Sequence, residues 1–166
     1  MIDTEEFKTA WRALCRRWGR EVDAGEAMEV LGYLSEILTT EEFLASARHL
    51  WATREFFPRP ADFVTAAARL EWSRAVRAKG KENGVYPWRA MWDAMTVRGQ
   101  EAVRILGGLD GLVSMYQRDP FRARDEWVAA YELHAGELAS KHARLHAPAS
   151  PSKLGRGSRG ALMTGS

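Results

Sequence analysis

The chain reads as an all-α protein: two small helical lobes joined by a helix that opens on Pro-x-Pro, followed by a basic C-terminal tail. Three observations carry that reading. Apolar residues recur at spacings of three, four and seven through every periodic segment, as one face of a helix requires. Cap residues and prolines stand where those periods begin. No stretch alternates apolar and polar residues between turn signals, as a half-buried strand would, and no repeat of 20–50 residues is visible.

Asp3 with Glu6 three residues on resembles a capping box and opens the first helix, whose stripe is Phe7, Trp11, Leu14, Cys15 and Trp18. Gly19 fits the stop. A second helix starts near Asp23, with Ala27, Val30, Leu31, Leu34, Ile37 and Leu38 on one face. Thr39 and Glu42 form a further capping box ahead of Phe43, Leu44, Ala47, Leu50 and Trp51. The third helix must end before Pro58, because the residue preceding a proline avoids the α region. Pro60 suits the first position of a fourth helix, where its missing N–H costs nothing. That helix runs to about Lys79 through Phe63, Ala67 and Leu70, and its apolar pattern weakens beyond Leu70.

Gly80 to Gly84 is a turn-rich break, so 80–85 is expected to link a first lobe (1–79) to a second (86–146). The second lobe opens at Pro87 with Trp88, Met91, Trp92 and Met95, and Gly99 is expected to stop that helix. Short helices follow over Glu101–Leu106 and Leu109–Tyr116, separated by Gly107-Gly108. Asp119-Pro120, cap and first-turn proline, opens a long last helix with Phe121, Trp127, Val128 and Tyr131 facing the core. Residues 147–166 hold only Leu154, Leu162 and Met163 as large apolar groups, too few to offset their ordering entropy, so the tail is expected to be disordered.

Composition narrows the class. No apolar run is long enough to cross a membrane, and the acidic first residues lack the apolar core of a secretory leader. The one cysteine, Cys15, excludes an intramolecular disulfide and a Cys-based metal site. A cytoplasmic location is expected. The net charge of +2 is unevenly spread: residues 1–57 carry 7 basic and 11 acidic side chains, 58–81 carry 6 and 2, 82–140 carry 6 and 9, and 141–166 carry 5 and none. An acidic body thus bears two basic segments.

Catalytic patterns are missing. Gly80-Lys81 lacks the glycine loop before it and the hydroxyl after it that a phosphate-binding loop needs, and Gly107 to Gly111 does not have dinucleotide spacing. His142 and His146 share a helix face, which His134 could join, but without the remaining residues of a zinc motif. Cys15 lies on an aromatic stripe and reads as core. The carboxylate pairs Glu5/Glu6 and Glu41/Glu42 serve helix starts. Neither enzyme activity nor a cofactor is expected.

Binding patterns are present. Arg69, Arg74, Arg77, Lys79 and Lys81, with Lys153, Arg156 and Arg159 in the tail, are the candidate contacts to nucleic-acid phosphates; the bland alternative is solvated helix end and solubilising tail. Phe56, Phe57 and Arg59 are the candidate partner contacts. Either one ring fills the core while the other staples the joint, or one is a docking knob; core packing is the favoured reading.

The stretch from Trp11 to Phe63, ending in Thr53-Arg54-Glu55-Phe56-Phe57-Pro58-Arg59-Pro60-Ala61-Asp62-Phe63, resembles the small helical domain of phage and prophage helicase loaders. These are the loader-and-inhibitor proteins of DnaB-type replicative helicases. The second lobe, through Trp88, Trp92, Ala102 to Leu109, Phe121 and Tyr131, is similar to a segment of related phage replication proteins. The resemblance implies a non-enzymatic adaptor in DNA replication. Its expected partners are a DnaB-type helicase and an origin-binding protein, with DNA reached through the basic segments and a C-terminal region, here 141–166, that folds on the helicase. The alternative is a DNA-binding origin or regulatory factor without helicase contact.

Overall fold

The structure, a computed structural model, describes residues 1–81 and 87–146, with the side chains of 80, 81 and 142–146 outside the description. Within them lie eight helices and no strand: α1 (Thr4–Arg17), α2 (Ala24–Ile37), α3 (Thr40–Thr53), α4 (Pro60–Lys81), α5 (Pro87–Asp93), α6 (Val97–Ile105), α7 (Gly108–Arg118) and α8 (Pro120–His146). The all-α reading holds. None of these helices is long and apolar enough to cross a membrane. The tail at 147–166 and most of the 80–85 segment lie outside the described residues, while Gly80 and Lys81 continue α4.

The expected caps form the first three helices. Asp3 Oδ1 accepts from the N–H groups of Glu5 (3.0 Å) and Glu6 (2.9 Å), and Asp23 Oδ1 accepts from Glu26 N (2.8 Å). Thr39 and Glu42 close a full capping box. Gly19, with φ +63°, leaves α1 in the left-handed region that a side chain would strain. α1 and α3 run in parallel: Asp3 N donates to Thr40 Oγ1 (2.8 Å) at one end, and the rings of Trp18 and Trp51 lie 6.4 Å apart at the other.

Between them sits an aromatic cluster. Phe7 stacks on Trp11 (5.5 Å), Phe43 stacks on Phe63 (5.5 Å), and Phe7 and Phe43 lie 5.1 Å apart. Side chains of this size contribute roughly 1.5–3 kcal/mol each when fully buried. Trp11 is also buried with its indole N–H unpaired among the described residues, a cost of about 1–3 kcal/mol set against the burial of its ring.

α4 packs on α2, α3, α5 and α8, and α8 packs on α2, α4, α6 and α7. The buried side chains of both halves therefore run on as one cluster from Ile2 to Ala135.

Three expectations fail here. Gly99 does not stop a helix: α5 ends at Asp93, Thr96 caps α6, and Gly99 lies buried inside that helix. The core face of α4 does not fade after Leu70, since Glu71, Trp72 and Ala75 are all buried. Phe121 does not face the core but is 73 % exposed. It lies on the flank of α8 that Val128 shares two turns later, while the buried face of that first turn is taken by Ala123.

Candidate functional site

The joint between α3 and α4 is fixed from both sides. α3 ends at Thr53 with Arg54 as its C-cap, and the indole N–H of Trp18 donates to Glu55 O (2.8 Å), which ties the loop to α1. Asp62, in the first turn of α4, accepts from Arg59 N (2.7 Å) through Oδ2 and from the Arg54 guanidinium (2.8 Å) through Oδ1. One carboxylate thus clamps the end of one helix to the start of the next.

The two adjacent phenylalanines take opposite roles. Phe57 turns inward, edge-on to Trp11 (5.3 Å) and Trp18 (5.9 Å), with the Arg20 guanidinium 4.5 Å from its centroid. Phe56 turns outward and is 79 % exposed. Arg59 is exposed beside it, held loosely to Asp62 at 3.7 Å. The three candidate partner residues are therefore one plug, one exposed ring and one exposed cation on a braced loop.

The basic residues of α4 do not form one patch. Arg69 borders a hollow shared with Arg54, Asp62 and His49 near the joint. Arg77 borders a different groove, with Trp72, Tyr116 and Phe121. Arg74 is exposed. Lys79 is engaged by rings: its ammonium lies 4.0 Å from the Trp88 centroid and 4.2 Å from that of Tyr116. The side chain of Lys81, and Lys153, Arg156 and Arg159 entirely, lie outside the described residues, as do the side chains of His142 and His146.

Sequence reasoning missed a polar cluster inside the helices. Glu71 on α4 accepts from Thr96 N (2.7 Å) and lies 2.9 Å from Thr96 Oγ1 at the start of α6. Arg98 on α6 donates to Tyr131 Oη on α8 (3.2 Å) and pairs with Glu42 on α3. Burial pushes the Glu71 carboxyl above its ordinary value against the hydrogen bonds from Thr96, and pushes the Tyr131 phenol up to about 12. Burial disfavours the charge on Arg98, but Tyr131 and Glu42 more than offset it, so that guanidinium is held above its ordinary value. Cys15 is buried, and that burial raises its thiol and disfavours the thiolate. These groups satisfy helix ends and one another. The pattern available beforehand was only the break in periodicity at Glu71, a polar residue at a core position.

No protein-family model, curated protein or solved structure matches the chain.

Proposed function

We propose that this protein is a non-enzymatic accessory factor of DNA replication that binds a DnaB-type replicative helicase in the cytoplasm and loads or restrains it. The observation that carries the binding role is Phe56: a ring 79 % exposed on a loop braced by the Trp18–Glu55 hydrogen bond and by Asp62. Exposing an aromatic side chain costs hydrophobic free energy, and a braced loop loses little further entropy when a partner covers it. Those are the properties of an interface anchor. The helicase as partner follows from the resemblance of residues 11–63 to the helicase-loader domain.

The test is co-elution of the purified chain with phage and bacterial DnaB-type helicases, alongside Phe56→Ala. The expected result is a complex with one of them, weakened at least about tenfold by the substitution, as loss of a hot-spot ring predicts. The variant should retain the wild-type circular dichroism spectrum and melting temperature. Absence of a complex with every helicase tried at micromolar concentration rejects the reading.

A further inference from the structure

The second strongly exposed ring, Phe121, stands at the opposite end of α4 from the joint. It borders a groove of about 450 Å³ lined by Trp72, Val76, Arg77, Tyr116 and Arg124, where the C-terminal half of α4 meets the end of α7 and the first turn of α8. The turn that bears Phe121 is well held. Asp119 Oδ1 accepts from Phe121 N (3.0 Å) and Arg122 N (3.0 Å), and Pro120 sets the backbone ahead of them. The floor is rigid and aromatic: Trp72 is 5 % exposed, with its ring 6.1 Å from Tyr116 and 5.4 Å from the buried Trp127.

The charged side chains that line the groove are both arginines. Arg77 is exposed and has no carboxylate within ion-pair distance among the described residues. The Arg124 guanidinium lies 5.8 Å from the Phe121 centroid, with Asp125 2.8 Å away as its counter-ion. Lys79 adds a further cation against Tyr116, 4.2 Å from its centroid. Arg122 points elsewhere, to Glu126 at 3.6 Å.

An exposed ring alone would suit an apolar knob. A groove lined by an exposed ring, two arginines and the aromatic side chains of Trp72 and Tyr116 suits a ligand that is flat, aromatic and anionic along its length. Single-stranded nucleic acid has that chemistry: unpaired bases stack on aromatic side chains, and the linking phosphates pair with arginine. A duplex would offer only its phosphates, leaving the ring without a role. We propose that the α4–α7–α8 groove binds single-stranded nucleic acid, with a base stacked on Phe121 and neighbouring phosphates on Arg77 and Arg124. The site stands on its own observations and does not depend on the helicase reading.

The experiment is fluorescence anisotropy on the full chain, with labelled oligo-dT and oligo-U of about 15 nucleotides, a length set by known single-strand site sizes. A duplex of equal length and a polyglutamate peptide serve as competing ligands. Saturable binding of a single strand, tighter than the duplex and the peptide, is expected. Phe121→Ala should weaken it about tenfold, Phe121→Trp should preserve it, and Phe121→Leu should behave like alanine because it lacks a π face. Arg77→Ala combined with Arg124→Ala should flatten the dependence of log K on log salt by about 1.4, at about 0.7 for each phosphate left unneutralised. Preference for dT or for U identifies the natural strand and supports the site in either case. Three results overturn it: no saturable single-strand binding, duplex or polyglutamate binding as tightly as the single strands, or Phe121→Ala binding like the parent.

Discussion

The starts of α3 and α6 are capped by the same hydrogen bonds drawn from different distances. At α3, Thr39 Oγ1 accepts from Glu42 N (3.3 Å), and the Glu42 carboxylate returns to Thr39 N (2.8 Å), all within one turn. At α6, Thr96 Oγ1 accepts from Gly99 N (3.3 Å), but the carboxylate on Thr96 N belongs to Glu71, 25 residues earlier on α4. The residue in Glu42's position here is Gly99. A Cβ at Gly99 would collide with Glu71 Oε1 and come within 3.1 Å of the Trp127 ring. The missing side chain is thus the space that lets a distant carboxylate complete the box. The Trp127 indole N–H uses the same opening to reach Gly99 O (3.1 Å).

The difference shows what each kind of cap does. A local box draws both of its partners from the helix it caps, whereas a borrowed one takes its carboxylate from another helix and so ties the two together. It carries an electrostatic cost, because Glu71 is buried where its charge is disfavoured. The two boxes are themselves linked, since Glu42 pairs with Arg98 in the first turn of α6.

Substitutions at the two caps test this contrast, beginning with the most damaging. Gly99→Ala should cost about 3 kcal/mol in urea unfolding, the upper part of the usual range for overpacking, because the Cβ meets a fixed carboxylate and an indole. Wild-type stability in that variant would mean that Glu71 can leave its place freely. Glu71→Ala should cost about 2 kcal/mol through the orphaned Thr96 N–H and the space left behind. Combining it with Gly99→Ala should cost less than the sum, by roughly 1 kcal/mol or more in a double-mutant cycle, because the new methyl then enters the vacated volume. Simple additivity would refute the shared-space account. Thr39→Ala, which removes only a local cap, should cost about 1 kcal/mol and leave α6 untouched.

The mildest effect is a pH dependence. The folded pKa of Glu71 is raised, so the native state holds this proton more tightly than the unfolded chain does. Its contribution is fully present below the unfolded carboxyl value and is lost as pH rises through the higher folded value. Glu71→Gln should remove that slope while changing stability at neutral pH by less than about 1 kcal/mol. Unfolding curves for parent and variant across the acid-to-neutral range measure the difference. Parallel curves would show that Glu71 is not strained by burial.

Much of the architecture was legible because its signals are short-range. Asp3, Asp23, Thr39 and the Asp119-Pro120 pair start helices where their chemistry predicts, and the stripe from Ala27 to Leu38 is buried along its length. The joint was legible as a rigid break; Phe57 packs against the core as the favoured reading expects, but Phe56, expected there to staple the joint, is 79 % exposed. Gly99 misled because glycine was read as punctuation, when here it makes room at a helix-packing point. Phe121 misled because periodicity places a residue on a face but does not say whether a neighbouring helix reaches that turn. Lys79 read as a free phosphate contact, yet two rings from α5 and α7 hold it.

That this chain is helical, where its first helices begin and end, and which faces are apolar were all written along the residues themselves. Hydrogen-bond caps, proline and helical periodicity act within a turn or two of the chain, so they can be read along it. It took the packed molecule to settle which of two adjacent phenylalanines is a plug, that Glu71 completes a cap 25 residues away, and that Phe121 stands exposed beside Arg124. Those outcomes depend on which elements arrive alongside, and that is set by the packing of the whole core.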